Sequence, residues 1–153
     1  MLKNFPQLQA ILLCLFLDAC SPHGSDDEPY VEFAGGGFVF NYRIAVVDYG
    51  FVVTVKRKLM PGTLLEATFE DPAGGDPIVV TQTARSGQFQ YTFRTPPLQG
   101  VEADRDYQVT LSLFSPTRDR LLATYRNHYR SNVDQKQMPK APLTVGPGYH
   151  EPR

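Results

Sequence analysis

The chain of 153 residues contains no tryptophan and only two cysteines, Cys14 and Cys20. Because both cysteines lie among the first twenty residues, no disulfide framework can hold the rest of the chain together. The charges of the 16 Asp and Glu residues and the 15 Lys and Arg residues nearly cancel. The chain therefore lacks the excess of positive charge that is typical of nucleic-acid-binding proteins. Tyrosine and phenylalanine are plentiful, which favours a β-rich domain.

Motifs for catalysis and for metal binding are also missing. The sequence has no Gly-x-Ser-x-Gly elbow and no phosphate-binding glycine loop. The histidines His23, His128 and His150 show no ligand spacing, and the carboxylates of Asp104 and Asp106 are typical of solvated turn acids. We therefore expect a protein that is not an enzyme and that has no metal or cofactor.

The apolar run near the N-terminus, residues 11–17, is too short to span a bilayer. Lys3 precedes the run, and Leu17-Asp18-Ala19-Cys20 ends it, with polar residues immediately after. This arrangement predicts a cleaved, helical signal peptide over residues 1–19. The alternative is a buried core helix, but Pro6 and the shortness of the run count against it.

The end of this segment resembles the lipobox of bacterial lipoproteins. Leu17, Ala19 and Cys20 match the family pattern, and Asp18 stands where the family usually carries a small neutral residue. The resemblance implies that Cys20 becomes the first residue of the mature protein, carries acyl chains such as palmitate, and holds the protein to a membrane. Ser21 resembles the outer-membrane address of Gram-negative lipoproteins, which implies a place on the outer membrane facing the periplasm.

Residues 20–28 are predicted to comprise the lipidated Cys20 and a flexible polar tether. A flexible segment of eight residues has a mean reach of roughly 16 Å. The folded domain is therefore expected to lie against its membrane, and a partner must come to that surface.

Residues 29–130 show apolar and polar residues in alternation, and no helical spacing is sustained. The pattern predicts strands at residues 30–33, 38–46, 51–55, 65–70, 78–83, 89–93, 107–113 and 121–129. Glycines 35–37 predict a bulge or a change of sheet. In the strand at residues 38–46, Tyr42 and Ile44 are predicted to face inward, and residues 48–50 are predicted to form the turn that follows. Seven or eight short strands with turns between them predict an all-β fold, a single antiparallel immunoglobulin-like sandwich.

Tyr107 supports this fold class, because it lies two residues before the inward Val109 at the start of a late strand. The segment at residues 98–109 resembles the tyrosine corner of immunoglobulin-like and fibronectin-like domains. That resemblance implies a hydrogen bond from the tyrosine hydroxyl back to the upstream backbone.

Residues 131–153 form a segment rich in proline and glycine with few apolar side chains, a composition that favours polyproline or irregular structure. Two interpretations remain open. In the first, the tail lies along the sandwich or is loose in solvent. In the second, it is a docking peptide in which Leu143, Val145 and Tyr149 are the anchors.

Basic residues outnumber acidic ones from the last turn to the start of the tail. They are Arg118, Arg120, Arg126, Arg130, Lys136 and Lys140, against Asp119 and Asp134. This excess could recognise lipid phosphates, an acidic polysaccharide or an acidic protein, with Arg126 and Arg130 as candidate binding residues. The alternative is a solvated basic surface that faces the membrane and has no specific partner.

Three segments, residues 61–71, 106–109 and 121–124, resemble the small sandwich lipoproteins that include type III secretion pilotins. The resemblance covers roughly half of the mature chain. It implies a periplasm-facing accessory that helps a larger envelope machine to assemble.

Two functions follow as hypotheses. The first is a non-catalytic, membrane-anchored envelope lipoprotein that binds another envelope protein, through an exposed strand edge or through the tail. The second is a carbohydrate-binding module for a polysaccharide, in which Tyr125, Tyr129 or Tyr149 stacks on sugar rings. Coplanar exposed rings flanked by polar groups would favour the second hypothesis.

Overall fold

The computed structural model describes residues 28–147 and 150–151, and within these residues it has seven β-strands and one short 3-10 helix. The strands are β1 (Val31–Asn41), β2 (Val46–Val55), β3 (Leu64–Phe69), β4 (Ile78–Thr83), β5 (Gln90–Arg94), β6 (Asp106–Phe114) and β7 (Leu121–Arg130). The 3-10 helix spans Gln135–Gln137. No helix in this part of the chain is long and apolar enough to cross a membrane.

The strands form two antiparallel sheets that pack face to face. One sheet has the order β1-β2-β5 and the other has the order β4-β3-β6-β7. The chain passes from one sheet to the other after β2, after β4 and after β5. The prediction of a single antiparallel sandwich is confirmed, with seven strands.

Side chains from both sheets meet in a core that is rich in aromatic rings. Tyr49 of β2 lies among three of them, with its ring centroid 4.6 Å from Phe38, 5.1 Å from Phe69 and 6.4 Å from Tyr107. Its hydroxyl donates a hydrogen bond to the backbone oxygen of Glu70 at 2.7 Å. Because Tyr49 belongs to one sheet and Glu70 follows β3 of the other, this side chain joins the two sheets.

Tyr107 is fully buried at the start of β6. Its hydroxyl accepts a hydrogen bond from the backbone N–H of Glu102 at 2.8 Å. A buried tyrosine that bonds to the backbone five residues upstream is the arrangement expected of a tyrosine corner. It fixes the connection between β5 and β6 to the start of β6.

The hairpin between β1 and β2 turns at residues 42–45, where alternation predicted the continuation of a strand. Residues 48–50, predicted as the turn, lie inside β2, and Tyr49 is fully buried opposite Phe38. The predicted turn is therefore wrong, and so is the inward orientation of Tyr42 and Ile44, which are both exposed.

The side chain of Arg94 explains why Asp48 and Gly50 belong to a strand. Arg94 of β5 pairs with the Asp48 carboxylate, with Nε and Oδ1 2.6 Å apart. A Cβ atom at Gly50 would lie 2.8 Å from Cγ of Arg94 and 2.2 Å from the carbonyl oxygen of Phe93. Asp48 and Gly50 are residue types that are common in turns. Here Asp48 provides an ion pair, and Gly50 allows β2 and β5 to approach closely.

A β-bulge lies at Ala34, immediately before glycines 35–37, so the predicted bulge is observed and the predicted change of sheet is not. The register of β1 against β2 shifts between Phe33 and Gly35, and β1 continues in the same sheet to Asn41. Gly36 lies against the ring of Tyr129 from β7, where a Cβ atom would be 2.5 Å from Cζ of that ring. The glycine therefore lets β1 pass close to the edge strand of the opposite sheet.

Loops cover the two ends of the sandwich. The proximal end, where the described chain begins, consists of residues 28–30, 56–63, 84–89 and 115–120. The distal end consists of residues 42–45, 70–77, 95–105 and 131–147. A strand as long as β2 extends about 33 Å, so the two ends are well separated.

Candidate binding surface

Two of the three predicted tail anchors lie at the distal end, beside the turn between β1 and β2. The backbone N–H groups of Leu143 and Thr144 both donate to the carbonyl oxygen of Arg43, at 2.8 and 3.2 Å. The side chain of Leu143 is 54% exposed, and Val145 is also exposed. Val145 donates its N–H to the carbonyl oxygen of His150 at 2.8 Å, so the chain doubles back at this point.

The turn at residues 42–45 adds two more exposed apolar side chains. Tyr42 is 43% exposed and Ile44 is 39% exposed. They flank Arg43, whose carbonyl oxygen accepts both hydrogen bonds from the tail, so turn and tail are joined through their backbones. Tyr42, Ile44, Leu143 and Val145 together are called the distal apolar surface below. Sequence alternation missed Tyr42 and Ile44 because it placed the hairpin turn six residues too late.

Gln135 ties the start of the tail to the sandwich. Its N–H donates to the carbonyl oxygen of Val101 at 2.9 Å, and its Oε1 accepts from the N–H of Val101 at 3.1 Å. Its Nε2 donates to the carbonyl oxygen of Leu98 at 2.8 Å. Met138, three residues further on, is half-buried against the core. The tail therefore leaves the sandwich from a fixed position.

Several predicted features lie outside the described residues. They are the signal peptide at residues 1–19, Cys20, Asp18, His23 and the third tail anchor, Tyr149. The predicted lipidation and the contribution of Tyr149 therefore stay predictions.

The predicted basic residues do not form one binding group with the tail anchors. Arg126 and Arg130 lie in β7, on the outer face of the four-stranded sheet. Arg130 makes two hydrogen bonds to Asp106, at 2.7 and 2.9 Å, and this pairing lowers the pKa of Asp106 and raises the pKa of Arg130. Arg118 is paired with Glu66. Two of the six predicted basic residues are thus held in ion pairs within the sandwich.

Two of the three tyrosines of the carbohydrate hypothesis, Tyr125 and Tyr129, face the interior of the sandwich, and the third, Tyr149, lies outside the described residues. Tyr129 stacks on Phe51 of the opposite sheet, with ring centroids 6.4 Å apart and planes 13° apart. Tyr125 is half-buried, and its hydroxyl accepts a hydrogen bond from the N–H of Tyr30 at 2.9 Å. These two rings therefore do not form an exposed platform for a sugar.

A hydrogen bond crosses between the sheets at each side of the sandwich, beside the edge strands. On one side, Nε2 of Gln82 in β4 donates to the carbonyl oxygen of Thr92 in β5 at 2.5 Å. On the other side, the hydrogen bond between Tyr30 and Tyr125 connects the start of β1 to β7. A strand added at either edge would have to displace these contacts. At these two positions a contact already lies beside the strand edge, whereas the distal apolar surface is exposed.

The acidic residues considered as candidate chemistry have structural roles. Asp106 is held by Arg130, and Asp104 occupies a turn with a positive φ of 60°. Among the residues that the structure describes, no three His, Cys, Asp or Glu side chains are grouped as a metal ion would require.

Comparison with known proteins gives no match to this chain among family models, curated proteins or solved structures.

Proposed function

We propose that this protein is a membrane-anchored envelope lipoprotein that binds another envelope protein through the distal apolar surface. It has no catalytic role and acts as an accessory in the assembly of a larger envelope structure, on the outer membrane facing the periplasm. Cys20 carries the lipid, and the sandwich presents the binding surface. The main support for the proposal is that backbone hydrogen bonds to Arg43 hold the exposed tail anchors beside the exposed turn at residues 42–45.

Two properties of the distal apolar surface suit protein recognition. Its four side chains are exposed and apolar, and recognition concentrates in a few such anchors that become buried in the complex. Its backbone is already held by the hydrogen bonds to Arg43 and by the contacts of Gln135. A surface that is ordered before binding costs less conformational entropy when the partner arrives.

The position of the surface also favours this function. It lies at the distal end, whereas the chain that leads back to Cys20 leaves from the proximal end. A membrane anchor at Cys20 therefore leaves the distal apolar surface facing away from the bilayer, where a partner can reach it.

The anchor is tested by metabolic labelling with a fatty acid. Cys20→Ser should abolish incorporation, because the hydroxyl cannot accept the diacylglyceryl thioether. Cys14→Ser is the matched control and should keep the label, since Cys14 leaves with the signal peptide. A wild-type chain that takes up no lipid would refute the anchor.

The binding surface is tested with a photocrosslinking amino acid placed at Leu143 or at Tyr42. Both positions should yield the same crosslinked envelope protein in intact cells. The control position is Val79 in β4, which is also apolar and exposed but lies on the outer face of the four-stranded sheet, whereas the turn with Tyr42 belongs to the other sheet. Leu143→Asp should abolish the crosslink from Tyr42. Crosslinks from Val79 alone, or binding of a purified polysaccharide that Leu143→Asp does not change, would refute the proposed surface.

A further inference from the structure

The proximal end of the sandwich exposes large apolar side chains. Phe89 is 75% exposed and Met60 is 67% exposed, the highest values among the large hydrophobic residues described. Alternation predicted Phe89 to be the first residue of the strand at residues 89–93, but it precedes β5 and lies beyond the last pair between β2 and β5. Its carbonyl oxygen accepts the N–H of Val55 at 2.8 Å, so its backbone is held while its ring is left in solvent.

The loops that carry Phe89 and Met60 are bound to each other. The N–H of Gly62 donates to the carbonyl oxygen of Ala84 at 2.9 Å, and the N–H of Ala84 donates to the carbonyl oxygen of Thr63 at 2.7 Å. These reciprocal bonds join the loop at residues 56–63 to the loop at residues 84–89. The exposed apolar residues are therefore parts of one ordered surface.

Basic side chains surround Phe89. Lys56, Lys58 and Arg85 line a cleft of about 430 Å³ together with Phe89. Lys56 pairs with Glu32 at 2.7 Å. Lys58 and Arg85 have no ion-pair partner among the described residues, so their charges are available to an external anion.

Charge is distributed unevenly between the two ends. The proximal loops carry the basic residues Lys56, Arg57, Lys58, Arg85, Arg118 and Arg120 and the acidic residues Glu28 and Asp119. The distal loops carry the acidic residues Glu70, Asp71, Asp76, Glu102, Asp104 and Asp134 and the basic residues Arg43, Arg105, Lys136 and Lys140. Even when Asp26 and Asp27 of the tether are counted, the basic residues outnumber the acidic ones at the proximal end.

We infer that the proximal end docks on the surface of the phospholipid bilayer that holds the anchor. Phe89 and Met60 enter the interface between headgroups and acyl chains, and Lys58 and Arg85 contact anionic headgroups. This inference rests on the proposed lipidation of Cys20. The eight residues from 21 to 28 reach only about 28 Å even when fully extended, so the end of the sandwich to which they lead stays close to the bilayer.

The absence of tryptophan makes a direct test available. Phe89→Trp places one reporter at the proximal end, and Tyr42→Trp places one at an exposed aromatic position at the distal end. Each mature lipidated variant is incorporated into vesicles of phosphatidylethanolamine and phosphatidylglycerol with brominated acyl chains. We expect quenching and a blue shift of the emission from Trp at position 89, and neither effect at position 42.

Flotation of the same vesicles separates the two levels of the proposal. Protein that floats with the vesicles and is quenched at position 89 supports docking. Protein that floats but shows equal emission from both positions overturns docking and leaves the anchor intact. Protein that does not float overturns the anchor at Cys20, and docking falls with it.

Charge reversal tests the role of the cations. In the Phe89→Trp chain, Lys58→Glu together with Arg85→Glu should reduce quenching to the level seen at position 42. Each basic residue near an anionic bilayer surface strengthens binding to that surface by about fivefold. Reversing two charges should therefore lower the equilibrium constant for docking of the proximal end by about 25-fold or more. Lys136→Glu together with Lys140→Glu at the distal end is the matched control and should leave quenching unchanged. Equal effects of the two double variants would overturn the inference.

Discussion

Replacing Tyr49 by alanine tests the centre of the fold. The side chain is fully buried between the sheets, and its ring contacts rings from β1, β3 and β6. Deleting a buried aromatic side chain costs about 3–5 kcal/mol of the free energy of unfolding. The lost hydrogen bond to the Glu70 carbonyl adds about 1 kcal/mol. We therefore expect a loss of about 4–6 kcal/mol for Tyr49→Ala and about 1 kcal/mol for Tyr49→Phe.

Tyr42→Ala is the matched control. The observed hairpin turns at residues 42–45 and buries Tyr49, whereas a hairpin that turned at residues 48–50 would bury Tyr42 instead. In the observed hairpin Tyr42 lies on an exposed turn, so its removal should cost less than about 1 kcal/mol. In a hairpin that turns at residues 48–50, Tyr42 would face inward and Tyr49 would lie on the turn. The order of the two free-energy changes therefore reports where the chain turns.

Equilibrium denaturation in urea, followed by circular dichroism of residues 21–153, measures both variants. The dependence of the free energy of unfolding on urea should stay constant, so that shifts of the midpoint report stability. A small loss for Tyr49→Ala together with a loss above about 3 kcal/mol for Tyr42→Ala would refute the observed register.

The pH dependence of stability provides a second assay for Tyr49. Burial, together with the negative charges of Glu70 and Asp71, raises the pKa of the Tyr49 hydroxyl above its ordinary value of about 10. The unfolded chain ionises this tyrosine near pH 10, whereas the folded chain keeps the proton, so stability falls as the pH rises above about 10. Tyr49→Phe should show a shallower decline, and an identical slope would contradict the burial of the hydroxyl.

Three further changes test other contacts. Tyr107→Phe should lower the free energy of unfolding by about 1 kcal/mol through loss of the corner hydrogen bond, and Tyr107→Ala should lower it by about 3–5 kcal/mol, both in urea denaturation. Gly36→Ala should lower the free energy of unfolding by about 1–3 kcal/mol, because the added methyl group would collide with the ring of Tyr129. If a double-mutant cycle with Tyr129→Leu showed no coupling between the two positions, that contact would be contradicted. In calorimetry, deleting residues 139–153 should leave Tm nearly unchanged, whereas deleting residues 131–153 should lower it by about 10 °C, because the latter removes the hydrogen bonds of Gln135 and the packing of Met138.

Strands with strict alternation and clear turn residues at both ends could be predicted from the sequence. β4 has the predicted bounds, β7 differs by one residue at one end, and β3 and β6 differ by one residue at each end. In these segments the inward positions are mostly apolar and the outward positions are mostly polar, so a shift of register by one residue would bury polar groups. Local sequence therefore specifies both the strand and its orientation.

The first hairpin could not be placed by the same rule. Residues 38–55 contain apolar side chains on both faces and only one glycine, so turns at residues 42–45 and at residues 48–50 both preserve alternation. The choice depends on Arg94, which lies about forty residues away in the sequence and occupies the space above Gly50. Such a long-range contact leaves no local pattern.

The candidate binding surface was only partly predictable for a related reason. Composition singled out Leu143 and Val145 as exposed apolar residues in a proline-rich segment. The tail lies beside Tyr42 and Ile44 because its backbone N–H groups donate hydrogen bonds to the carbonyl oxygen of Arg43. Backbone groups are the same in every residue, so these hydrogen bonds have no sequence signature. The role of Gln135 was missed too, because a single glutamine has no signature that distinguishes a fixed contact from a solvated side chain.

The two proposed surfaces constrain each other because they occupy opposite ends of the sandwich. If the proximal end rests on the bilayer, strands as long as β2 raise the distal apolar surface about 30 Å above it. A partner that binds this surface must then extend that distance from its own membrane, or be a soluble protein delivered to the bilayer. Lengthening the tether would release the proximal end without altering the distal surface, so loss of docking need not abolish binding. A loss of both on lengthening would mean that the partner contacts the bilayer and the protein together.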